Sequence, residues 1–436
     1  EHPASRALRR PARGLSCGMT PDYSSPVLIA AVALIVLKWA SELWLDRLNE
    51  RHVQRHAEKI PDALRDTMDD ATYKKSVQYT LAKSQHGRFD NLFGAVLLIA
   101  VLLTGALPRL FEWVSRNFGQ SAWAMSGFLI GVMLLFMLAC LPLDWRAQFR
   151  LEERFGFNTT TQGTWWADRA KAVLLMIIIV LPLFALLLKL VDWTGSAWWL
   201  WGWACLTGFQ FLMMILAPVL ILPLFNKFSP LEDGPLKERL LALAKGADFS
   251  AQKIQIMDGS RRSKHSNAFF TGFGRARRIV LFDTLIEQLN EAELEAVLAH
   301  EIGHYKKRHI PKMLLLSAAS SLLGFYVLYL LAGFEGFYDA FGFSAGHLAP
   351  AFLLFGLLSG AIEFWFSPLL NRLSRKHEYE ADAYAKERVG AAQPLISALR
   401  KLNEKNLGNL TPHPAYSGFH YSHPALLERE AALNRD

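Results

Sequence analysis

Two histidines and a glutamate, His300, Glu301 and His304, stand together in the stretch AVLAHEIGHYKKRH. Residues four apart on a helix share a face, so both imidazoles can reach one metal ion. Glu301 projects beside them, where its carboxylate can polarise a water, take its proton and later pass it to a leaving amine. Zinc suits such a donor set and lowers the pKa of a bound water to ~7, which implies hydrolysis with one Zn2+ per chain. No proline interrupts the stretch, and Glu291, Glu293 and Glu295 form an acidic first turn that favours a helix here.

A third protein ligand is required. The pattern with a third histidine six residues on and a glycine between fails, because Ile310 and Lys307 hold those positions. His309 is one residue off that register and reads as a marker of the membrane boundary. The search moves to NRLSRKHEYEADAYAKERVG, with His377, Glu378, Glu380 and Asp382 as candidates. Glu378 and Asp382 share a helix face, so Glu378 can bind the ion while Asp382 fixes a ligating imidazole from behind. His377 and Glu380 read as part of a solvated charged face.

The elements that position these groups are set by composition. Of 436 residues 52% are hydrophobic and 12% aromatic, too apolar for an ordinary soluble protein. The net charge of +8 is modest and spread over several loops, which argues for membrane topology and against nucleic-acid binding. Cys17, Cys140 and Cys205 have no paired spacing and imply neither a disulfide framework nor a cysteine zinc site. Seven apolar runs are long enough to cross a ~30 Å hydrocarbon layer as helices. They cover residues 26–45, 92–107, 122–143, 172–191, 198–224, 313–331 and 348–370, with Pro218 and Pro223 expected to kink or end the fifth.

Lysine and arginine concentrate in the odd-numbered connectors, which assigns those connectors to the cytoplasm. The chain then divides into a disordered tail (1–24), spans one to five (25–225), a first metalloprotease segment (226–310), spans six and seven (311–370) and a second metalloprotease segment (371–436). Arg6, Arg9, Arg10 and Arg13 oppose an external N-terminus, a conflict that a natural start at Met19 removes. The first metalloprotease segment reads as a small α/β unit: a helix near 236–245, a strand at 253–257, a hairpin in NAFFTGFGRARRIVLFDTLI, and the motif helix over 291–308. Eight residues, ~12 Å of helix, separate His304 from Lys312, so the ligand segments sit at the membrane surface.

With HEIGH, SRKHEYEADAYA, KHSNAFFTGFG, YSHPALLERE and LEERFGFNTTTQGTWWAD in place, residues 25–436 resemble the integral-membrane zinc metalloproteases of the type I CaaX prenyl protease family. The heat-shock-induced bacterial membrane proteases are more distant relatives. The resemblance implies His300, His304 and Glu378 as zinc ligands and Glu301 as general base. It also implies Asn267 as a backbone holder for extended substrate, and His423 and Arg429 as residues that bind substrate or stabilise the oxyanion. The implied fold is a polytopic α-helical membrane protein, with about seven transmembrane helices enclosing a chamber capped by a cytoplasmic α/β zincin-like (gluzincin) metalloprotease domain.

The function expected is zinc-dependent cleavage of membrane-associated polypeptides, by a CaaX-type protease or by a quality-control protease with the same site. Intact ligands and base, and no inverted repeats between the halves, argue against a transporter or channel with a vestigial site. A structural zinc site would fill all four positions with Cys or His. The partners expected are polypeptide substrate and lipid bilayer, without nucleic acid and with the oligomeric state open. The location expected is a bacterial inner membrane.

Overall fold

The structure, a computed structural model, describes residues 20–65, 68–247, 251–271 and 277–435. Cys17, the four early arginines, Met19 and the Gly272–Gly274 turn of the expected hairpin lie outside the described residues. Residues 20–24, counted with the tail in the sequence reading, are held in place: the Tyr23 hydroxyl donates to Leu103 O at 2.9 Å.

Among the described residues six helical stretches are long and apolar enough to span a membrane. The longest, Gln162–Phe225, reverses at Gly195, whose φ of +58° suits a residue without a Cβ, and its segments Leu181–Thr194 and Trp198–Leu216 pack against each other. That reversal makes seven spanning helices. Side-chain oxygens of Asp69, Ser121 and Thr161 accept from the backbone N–H of Thr72, Ala124 and Thr164, starting three of the helices. The second span is the last part of a long helix, Asp70–Leu103, and ends before left-handed Gly105, short of the expected Leu107. Pro218 lies in a π-helical stretch, Ala217–Ile221, that interrupts the fifth span where a kink was expected.

Each spanning helix packs against its ring neighbours: first on second, third on fourth, then on to the seventh, which returns to the first. The second joins the third through the short helix Ala106–Phe118. A solid bundle would bury at least a ~100° stripe of each helix. Yet in four of the six stretches only 6% to 17% of the most apolar window is buried. Most of the surface of these helices is thus accessible, on the outer, lipid-facing side of the ring and on its inner side alike. The far end of the ring is closed by an apolar plug that includes Phe128, Trp198, Tyr338, Phe341 and Leu354.

The near end carries the soluble unit. Strands β1 (Phe228–Pro230), β2 (Ala251–Met257), β3 (Ala268–Thr271) and β4 (Arg277–Phe282) form one sheet in the order β1-β2-β4-β3. The β3–β4 pairing is the expected antiparallel hairpin. The parallel β2–β4 pairing and strand β1 were not foreseen. The motif helix, Glu291–Lys306, packs against helices Ser367–Val389 and Gln393–Lys405, and its Leu294, Leu298 and Ile302 join a core with Ile279, Leu281, Ala385 and Ile396.

One expectation is corrected here. The motif helix stops at Lys306, and Arg308, at φ +56°, turns the chain before the sixth span, His309–Ala332, begins. The run from His304 to Lys312 is thus two helices with a break, not one rod.

Candidate metal centre

The motif helix is fixed at its start by a capping box: Asn290 Oδ1 accepts from Glu293 N, and Glu293 Oε2 accepts from Asn290 N. Glu293 also receives the Ser397 hydroxyl at 2.6 Å and the Lys401 ammonium at 2.8 Å. Further along, Gly303 lets the helix approach its neighbour closely. A Cβ there would stand 3.0 Å from Ala381 Cα and 3.1 Å from Ala381 O.

That approach brings His300, His304 and Glu378 together. His300 Nε2 lies 3.2 Å from His304 Nε2, while Glu378 Oε1 is 3.3 Å from His304 Nε2 and Oε2 is 3.5 Å from His300 Nε2. Ligands about 2.1 Å from a tetrahedral ion stand ~3.4 Å apart, and each imidazole nitrogen lies at about that distance from the other and from one oxygen of the same carboxylate. Buried Glu378 Oε2 has no partner of hydrogen-bond geometry, although His423 Nδ1 is 2.8 Å away. An orphaned carboxylate oxygen and two imidazole nitrogens with engaged opposite sides fit lone pairs converging on a cation.

Behind His300, Asp382 Oδ1 meets His300 Nδ1 at 2.8 Å, which turns Nε2 toward Glu378. Arg429 in turn donates from Nε to Asp382 Oδ2 at 2.8 Å and from Nη2 to Oδ1. Arg429 is 9% exposed, so its guanidinium is enclosed in this contact and does not stand open to a substrate. His423 is the open member of the group, with its side chain 65% exposed.

Burial works against a charged His300, but the carboxylates of Asp382 and Glu378 outweigh it and push the imidazole up to about 9. Burial raises the Glu301 carboxyl, while the imidazoles of His300 and His304 pull it back. A carboxyl moved upward is better matched to cycling a proton near neutrality.

His309 is not a boundary marker. It is 3% exposed, its Nδ1 lies 3.0 Å from His304 Nδ1, and its Nε2 lies 2.9 Å from Glu380 Oε2. His377 stacks on it with ring centroids 4.0 Å apart. Both residues assigned to a solvated face therefore contact the histidine behind a metal-facing side chain. Asn267 stands apart: it directly precedes the edge strand β3, and its Oδ1 accepts from Ala268 N.

Two family models cover almost the whole chain: CAAX prenyl protease N-terminal, five membrane helices, over residues 49–227, and Peptidase family M48 over residues 230–436. The chain belongs to peptidase family M48. It is a multi-pass membrane metalloendopeptidase. CAAX prenyl protease 1 of Saccharomyces cerevisiae is 38% identical over 422 residues, covering 89% of this chain and 91% of that one. The Homo sapiens homolog is 33% identical, covering 92% and 94%. The crystal structure of S. mikatae Ste24p superposes with a TM-score of 0.87 at 35% identity, over 95% of this chain and all of that one. The M48 fold, with its seven spanning helices around a chamber, is thus the one expected from the sequence.

Proposed function

We propose that this M48 peptidase is a zinc enzyme that hydrolyses peptide bonds of membrane-anchored polypeptides, with His300, His304 and Glu378 as ligands. The convergence of the His300 and His304 Nε2 atoms on each other and on the Glu378 carboxylate, at 3.2 to 3.5 Å and at the soluble end of the helix ring, carries the reading. A zinc ion held there supplies Lewis acidity that makes water a competent nucleophile near neutral pH. Glu301 takes a proton from the attacking water as its oxygen bonds to the carbonyl carbon, and returns it to the amine as the C–N bond breaks. Exposed His423 donates to the developing oxyanion. Arg429 acts through Asp382, holding His300 in place.

Strand β3 supports the binding role of Asn267. It lies at the edge of the sheet among the described strands, where an extended peptide can be added beside the cleft. The named relatives are CAAX prenyl proteases, so C-terminally prenylated peptides are the first substrate class to try. Basic residues in the odd-numbered connectors favour a cytoplasmic protease unit. The relatives reported above are eukaryotic and lend no support to a bacterial inner membrane.

The test pairs metal analysis with hydrolysis of a membrane-anchored peptide, prenylated and unprenylated. Wild type should hold one zinc per chain. Glu301→Gln should keep the metal and lose about 10²–10⁴-fold in turnover, and Glu378→Ala should lose both. Full turnover in Glu301→Gln, or active wild-type protein without metal, would refute the proposal.

A further inference from the structure

We infer that His309 and Glu380 form a proton-ordering chain that sets the tautomer of His304 and so the strength of metal binding. The geometry fixes each proton in turn. An ionised carboxylate only accepts, so at 2.9 Å the proton between His309 and Glu380 sits on His309 Nε2. A neutral imidazole carrying its proton there has a lone pair at Nδ1, which at 3.0 Å accepts from His304 Nδ1–H. The remaining nitrogen of His304, Nε2, is left as a lone pair facing Glu378 Oε1 and His300 Nε2.

Three further features hold the chain. Arg308 adopts left-handed backbone, which a non-glycine residue enters only under strain, and that turn brings His309 back beneath His304. His377 stacks almost parallel on the His309 ring, at 14°, limiting its rotation. His377 and Glu380 lie one turn apart on the helix that also carries Glu378 and Asp382. That helix therefore supplies one metal-facing carboxylate and a second carboxylate behind each imidazole, Asp382 directly on His300 and Glu380 through His309.

The inference rests on reading His304 as a ligand, and zinc affinity of the full-length protein, read by competition with a chromogenic chelator, tests the two separately. Wild type that binds no zinc removes both. Given binding in wild type, Glu380→Ala and His309→Phe should each bind zinc about 10–100-fold more weakly. Combining them should add little to His309→Phe alone, because they act through one chain. His309→Gln, whose amide oxygen can accept the same bond, should retain most of the affinity. A packing role alone would lower the melting temperature of His309→Phe and leave affinity unchanged. Should His309→Phe fail to fold, Glu380→Ala decides, since that side chain is 32% exposed. Unchanged affinity in folded Glu380→Ala overturns the inference.

Discussion

Gly303 stands between the two metal-facing histidines in sequence and against the Ala381 backbone in space. A methyl group there meets atoms that cannot swing aside, so Gly303→Ala must push the two ligand-bearing helices apart by a few tenths of an ångström. Overpacking of this kind costs about 1–3 kcal/mol. Zinc affinity and turnover of Gly303→Ala should fall together, and a variant with wild-type affinity would contradict the close-approach argument. At this scale much of the site was legible. Helical spacing singled out His300, Glu301 and His304 and paired Glu378 with Asp382, because spacing on one helix fixes direction, and the family resemblance joined the two helices into one site. His309, Glu380 and His377 were passed over because their meeting depends on a left-handed turn at an arginine. No glycine or asparagine marks that turn in the sequence.

The motif helix is only as well placed as its first turn. Burial opposes a charged Glu293, yet Lys401, Ser397 and the Asn290 amide hold its carboxyl below the ordinary value of 4.5. A carboxyl depressed on folding contributes stability that is complete above 4.5 and is lost as pH falls toward the folded value, since the unfolded chain then binds more protons. Glu293→Gln should therefore be less stable than wild type at pH 7, with the gap closing on acidification. Denaturation midpoints across pH read this directly, and a constant gap would mean that the carboxylate charge is not the source. Among elements, the apolar spans and the β3–β4 hairpin were visible because hydropathy and turn chemistry are local. The parallel β2–β4 pairing depends on a contact between strands separated by β3, which no local pattern encodes.

Across the molecule, closure of the ring relies on a few tight seams. One joins the fifth and sixth spans, where the Phe325 ring packs over Gly202 so closely that a Cβ would lie 2.7 Å from it. Nearby, Trp203 Nε1 donates to Ala318 O at 2.8 Å. Gly202→Leu should lower the thermal midpoint in detergent, at a cost of about 1–3 kcal/mol. Zinc affinity at the opposite end of the helices should hardly change. A coupled loss of zinc would show that the seam also positions the site.

Between the helix bearing His300 and the helix bearing Glu378 the chain crosses the bilayer twice. If either crossing fails during biosynthesis, the two halves of the metal site are left on opposite faces of the lipid. A misthreaded copy is therefore inert, and proteolytic competence is conferred only on molecules whose membrane topology is already correct.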